Sequence, residues 1–75
     1  ASRMKILITG ANGLLGQKLI TLLQQQPDVQ LVATAHRPLV FPLSKGEFHL
    51  LDISNCEQVN EVIARTKPDV IINTA

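Results

Sequence analysis

An α/β fold, built on a parallel sheet of strand order 3-2-1-4 with helices on both faces, is what this sequence predicts. Three observations lead there. Apolar, β-branched runs alternate with amphipathic helical patterns along the 75 residues. The first run feeds directly into a glycine-rich turn that opens a helix. The order strand–helix–strand occurs twice, which calls for parallel pairing through right-handed crossovers.

Lys5-Ile6-Leu7-Ile8-Thr9 is short and continuously apolar, as expected of a strand covered on both faces. From Leu14 to Gln25 nothing breaks a helix. Leu15, Leu19 and Leu22 recur at i, i+4 and i+7, with Ile20 and Leu23 widening the stripe. Lys18 falls on the exposed face, and Pro27 with Asp28 ends the helix. Gln30 to Ala35 reads as the second strand. His36 to Gly46 carries Pro38, Pro42 and Gly46, so it is expected to be an irregular crossover. Glu47 to Leu51 follows as a third strand. Ser54 as N-cap and Glu57 three residues later form an expected capping box. Val59, Val62 and Ile63 supply the buried stripe of a second helix that Lys67 and Pro68 close. Asp69 to Asn73 is the fourth strand.

Composition narrows the function classes. With 45% hydrophobic and 17% charged residues, the chain has the makeup of a folded protein. A net charge of +1 gives no general pull toward nucleic acid or membrane. Phe41 and Phe48 are the only aromatics, too few for a base-stacking platform. No apolar run approaches the length of a membrane span. The single Cys56 offers neither an internal disulfide nor a metal cluster, which suits a reducing cytoplasm. Packing is the expected fate of its thiol. Ala1-Ser2-Arg3 reads as an extraneous lead before a natural start at Met4.

The turn Gly10-Ala11-Asn12-Gly13-Leu14-Leu15-Gly16 carries the chemistry. In such a turn the first glycine permits a sharp exit from the strand. The second lets backbone amides approach a pyrophosphate, and the third lets the helix pack closely. Phosphates then meet free N–H groups and the positive end of the helix dipole. Thr9 and Asn12 are expected to tie the turn together by local hydrogen bonds. The competing reading, glycines that serve packing alone, is weaker because the strand–turn–helix context is present.

Met4 to Gly16 resembles the opening of the extended short-chain dehydrogenase/reductase family. Leu51-Asp52-Ile53-Ser54 and Lys67 to Ala75 resemble its dTDP-4-dehydrorhamnose reductase subfamily. The resemblance implies a Rossmann-type domain that binds NAD(P), of which residues 4–75 would be the N-terminal, incomplete part. A fourth strand with an unpaired apolar edge agrees, and predicts self-association through that edge. It also implies that Asp52 bonds the adenine by its side chain and Ile53 by its backbone, and that Asn73, Thr74 and Ala75 line the middle of the cofactor. Asp52 as a contributor to the helix cap is an equally weighted alternative, and Asn73 otherwise simply ends a strand.

About 20 residues past the turn, NAD sites carry an acid and NADP sites an Arg. Here the chain reads Ala35-His36-Arg37. Arg37, with His36 as a further donor, favours NADP(H); NAD(H) and a merely solvated Arg37 are the alternatives. By resemblance the whole protein would reduce the 4-keto group of a dTDP-linked deoxysugar. The family's Tyr/Lys pair is absent, since the chain has no Tyr, so the 75 residues alone are expected to be inactive. A sugar-nucleotide epimerase or dehydratase, a non-catalytic NADP-sensing regulator and a purely structural module are the other readings.

Overall fold

The computed structural model describes residues 3–43 and 45–74. Six elements follow the expected order: β1 Met4–Thr9, α1 Leu14–Leu23, β2 Val29–Ala35, β3 Glu47–Leu50, α2 Cys56–Thr66 and β4 Val70–Asn73. The sheet runs β3-β2-β1-β4. All three pairings are parallel, with Ile6 opposite Leu31 and Val70, and Ala33 opposite Phe48. The predicted 3-2-1-4 order is therefore the observed one.

Strand alternation sorts the apolar side chains onto two faces. On one, Ile6, Ile8, Leu31, Ala33 and Ala35 form a cluster with Ala11 and Ile20. Fully burying one such aliphatic side chain is worth about 1.5–3 kcal/mol. The crossover, irregular as expected, packs Leu39, Phe41 and Leu43 onto this cluster in the place of a helix. On the other face, Leu7 and Ile71 look across a cleft of about 280 Å³ toward Val59, Val62 and Ile63 of α2, which are half-buried rather than the buried stripe expected, because the cleft stands between them and the sheet.

The structure corrects several sequence expectations. In α1, Leu15 and Leu22 are 58% and 60% exposed, whereas Gly16 and Ile20 are buried and Leu19 and Leu23 pack on the core. Gly16 sits against the turn, and that contact sets the rotation of the whole helix. The helix also ends at Leu23, two residues short of Gln25. Gln25 and Gln26 close a tighter turn through bonds to the Leu22 and Leu23 carbonyls.

At α2 the N-cap is Asn55, not Ser54: Asn55 Oδ1 accepts from the Gln58 amide at 3.2 Å. Ser54 is drawn away by the Asp52 carboxylate, to which it donates both N–H and hydroxyl. Cys56 is exposed rather than packed, because it opens α2 on the solvent side. Asp69 lies just before β4 and clasps the Lys5 backbone, accepting its N–H at 2.8 Å and donating to its carbonyl. Lys67 closes α2 in the left-handed conformation, followed by Pro68 as expected. Ala1, Ser2 and Ala75, each part of an expectation above, lie outside the described residues, as does Ser44 of the crossover.

Candidate functional site

The C-terminal ends of the strands place the glycine turn between β2 and β4, where the strand order reverses. Gly10 leaves β1 with φ 72°, a left-handed conformation that glycine adopts freely. The Gly13 amide folds back to the Gly10 carbonyl at 3.0 Å, and the Ala11 amide reaches the Thr34 carbonyl on β2 at 3.0 Å. Ala11 is fully buried, so its contribution to the turn is anchorage. The first helical bond runs from the Gln17 amide to the Gly13 carbonyl.

Between those points lie the first-turn amides of Leu14, Leu15 and Gly16, which a helix leaves without internal acceptors. Gly13 is the N-cap and has no side chain to cap them, and no acid stands in the first turn. Helix α2 differs, since Asn55 caps it and Glu57 stands in its first turn. The opening of α1 therefore favours an external anion. Gly16 is buried, and a Cβ there would overlap the Gly10 carbonyl oxygen. Leu14 and Leu15 point their side chains outward, at 75% and 58% exposure.

Two neighbouring strand ends brace the turn. Thr74 donates its hydroxyl to the carbonyls of Thr9 and Gly10, at 2.6 and 3.1 Å. Thr9 in turn donates to Asn73 Oδ1 at 2.7 Å. On the β2 side a cleft of about 70 Å³ brings Gly10, His36, Asp52 and Ile53 together with Ala35 and Leu51. Asp52 is held below the ordinary carboxylate pKa first by its hydrogen bond from the Ser54 hydroxyl, then by the Ser54 amide and the charge of His36. Arg37 follows His36 on the exposed surface, and among the described residues its guanidinium has no ion-pair partner.

Asn12 departs from the local bonding expected of it. Its carboxamide crosses to the β2–β3 crossover: Nδ2 donates to the Arg37 and Pro38 carbonyls, and Oδ1 accepts from the Val40 amide. Sequence reasoning also passed over Thr34, Gln17 and the bracing role of Thr74. Thr34 is buried and donates to the Ile8 carbonyl, while Gln17 Nε2 donates to the Asn12 carbonyl at 2.8 Å. A Thr inside an apolar strand was the available signal for Thr34. Among the described residues no group of three or more His, Cys, Asp or Glu is placed to hold a metal, and no helix is long and apolar enough to cross a membrane.

Comparison with known proteins agrees with this geometry. The chain is 35% identical over 72 residues to a GDP-6-deoxy-D-talose 4-dehydrogenase of Aggregatibacter actinomycetemcomitans, covering 96% of this chain and 21% of that protein. It is 38% identical over 63 residues to a 4-hydroxy-tetrahydrodipicolinate reductase of Acaryochloris marina, covering 83% of this chain and 23% of that protein. It thus spans under a quarter of the length of either curated relative. The crystal structure of L-threonine dehydrogenase from Clostridium difficile superimposes with a TM-score of 0.80 at 29% identity, over 97% of this chain and 24% of that one. The model of the RmlD substrate binding domain matches residues 4–75. Glycine turn, strand order and family match coincide over the same residues, and the chain belongs to the RmlD substrate binding domain family, within the extended short-chain dehydrogenases/reductases.

Proposed function

We propose that the turn from Gly10 to Gly16 holds the diphosphate of a nicotinamide dinucleotide, NADP(H) in preference to NAD(H), as part of a sugar-nucleotide oxidoreductase. The observation that carries this reading is the opening of α1, where Gly13 supplies no cap and the first-turn amides face the switch point. A bound nicotinamide would supply hydride-transfer chemistry. The residues of this chain bind and orient. The amides of Leu14, Leu15 and Gly16 take the phosphate charge, and Gly13 leaves room for its approach. The cleft at Gly10, Asp52 and Ile53 receives the adenine, which Asp52 bonds by its side chain and Ile53 by its backbone. Asn73, Thr74 and Ala75 line the central part of the cofactor. Arg37, with His36 beside it, meets a 2′-phosphate where an acid would meet a ribose diol.

Three relatives named for dehydrogenase or reductase activity support the oxidoreductase class. The family model and the talose dehydrogenase support a nucleotide-linked deoxysugar as substrate. We take that substrate to be a dTDP-linked 4-keto-6-deoxysugar, reduced at C4 by the intact protein, with the 75 residues alone inactive for want of a Tyr/Lys pair. Fluorescence titration of the intact protein with NADPH and NADH tests the cofactor. Tighter NADPH binding that Arg37→Ala abolishes is expected; equal affinity in the unsubstituted protein would overturn the preference. Turnover of dTDP-4-dehydrorhamnose with NADPH tests the substrate, and binding without turnover would indicate a cofactor sensor instead.

A further inference from the structure

We infer that Asn12 is a positioning residue for cofactor discrimination, because its carboxamide fastens the Arg37–Val40 stretch to the phosphate-binding turn. The inference deepens the NADP(H) reading above and rests on it.

Arg37 begins an irregular segment that has no strand or helix to fix it. Backbone there is held only by what it touches, and an exposed loop is ordinarily mobile. Asn12 answers this with three bonds from one side chain: Nδ2 to the Arg37 carbonyl at 3.2 Å and the Pro38 carbonyl at 3.0 Å, and Oδ1 from the Val40 amide at 2.9 Å. The chemistry allows one orientation of the carboxamide, since the NH2 group must face the carbonyls and the oxygen the amide. Asn12 is itself tied to α1 by Gln17 at its own carbonyl. The same residue thereby belongs to the phosphate turn and to the support of Arg37. An Asp in its place would keep the acceptor for Val40 but set a carboxylate against two carbonyl oxygens.

A forked Arg–phosphate contact depends on geometry as well as charge. Freed from Asn12, the Arg37 backbone is held only by β2 before it and the packed Leu39 after it, so it samples more positions, and the contact is made from few of them. The loss falls on a 2′-phosphorylated cofactor, because a ribose diol makes no contact that depends on the guanidinium.

The test uses the intact protein, with NADPH and NADH titrated against the unsubstituted form, N12A, N12D, R37A and N12A/R37A. Hydrogen exchange is followed at the amide of Val40, the one that Asn12 accepts from. N12A and N12D are expected to weaken NADPH binding on the order of tenfold, and NADH binding by a clearly smaller factor. Substituting Asn12 in the R37A background should add nothing to the loss in NADPH affinity. Exchange at the Val40 amide should quicken while β2 keeps its protection, which also shows that the variant is folded. Equal losses for both cofactors, or an undiminished tenfold loss in R37A, would overturn the inference by showing Asn12 to act on the turn alone. If N12A loses the protection of β2, N12D decides by the same criteria. Equal affinity of the unsubstituted protein for the two cofactors overturns the NADP(H) reading and the inference with it, and is told apart by appearing before any substitution.

Discussion

Gly16 packs so closely on Gly10 that a side-chain carbon on the later glycine would overlap the carbonyl oxygen of the earlier one. The same carbon would touch the backbone of Ala11 at 3.0 Å. Backbone cannot step aside as a flexible side chain does, so Gly16→Ala must shift α1 off the turn. We expect a destabilisation of about 1–3 kcal/mol, the range for overpacking a tight interior. Urea denaturation of the intact protein checks it; an unchanged midpoint would contradict the packing.

Gly13 is a different case. It is exposed and extended, with φ −71° and ψ 164°, and an added carbon would lie 3.3 Å from the Gly10 carbonyl oxygen. Gly13→Val should therefore keep most of the fold yet fill the space over the first-turn amides. Nucleotide retention should fall at least tenfold with a circular dichroism spectrum close to the original. Retention untouched by such a side chain would remove the basis for a diphosphate site.

Thr34 is fully buried and spends its hydroxyl on the Ile8 carbonyl at 2.8 Å. Thr34→Val keeps the shape and loses the bond. A cost of about 1 kcal/mol is expected, the usual net worth of a hydrogen bond, read as a lower denaturation midpoint.

Asp52 should titrate below its ordinary value of 3.8, because two Ser54 groups hold the charged form. A carboxyl with a lowered folded pKa stabilises the fold above its unfolded pKa, and that stabilisation disappears as pH falls through the lower folded value. Full exposure keeps the effect small. Carbon-detected NMR titration should show the Asp52 pKa rising toward 3.8 in Ser54→Ala. No movement would mean that the hydroxyl bond at 2.6 Å is not what holds the charge.

The outer side of β4 pairs with no strand among the described residues, and Val70 and Ile71 are 38% and 49% exposed there. The 75-residue chain should self-associate through this edge as its concentration rises. Light scattering should show the mass increasing, and Val70→Lys should restore a monomer. A monomer at all concentrations without the substitution would rule the edge out.

The architecture was legible because apolar, largely β-branched runs such as Ile6-Leu7-Ile8 and Val70-Ile71-Ile72 signal strands independently of partner, and two crossovers then fix the order. The turn of the candidate site was legible where a residue acts through its own backbone position, as with the positive φ of Gly10 and the close packing of Gly16. It was illegible where a side chain reaches across the fold. Asn12 bonds residues 25 to 28 positions away, and local propensity alone suggests a local partner. The face of α1 failed for a related reason. Leucines at 15 and 22 outweighed Gly16 in the apolar count, yet the smallest residue has the closest contact and so fixes the rotation.

The hydroxyl of Thr74 ties the exit of the last strand to a bend formed 64 residues earlier. The pocket's entrance is thus completed only when Thr74 has docked, so all the residues between it and the turn must have emerged from the ribosome before the anion seat acquires its final shape. Ligand that prefers the finished seat must also hold β4 in place, by mass action. Occupancy should consequently protect the amides of Ile71 and Ile72 against exchange, although neither belongs to the proposed nucleotide seat.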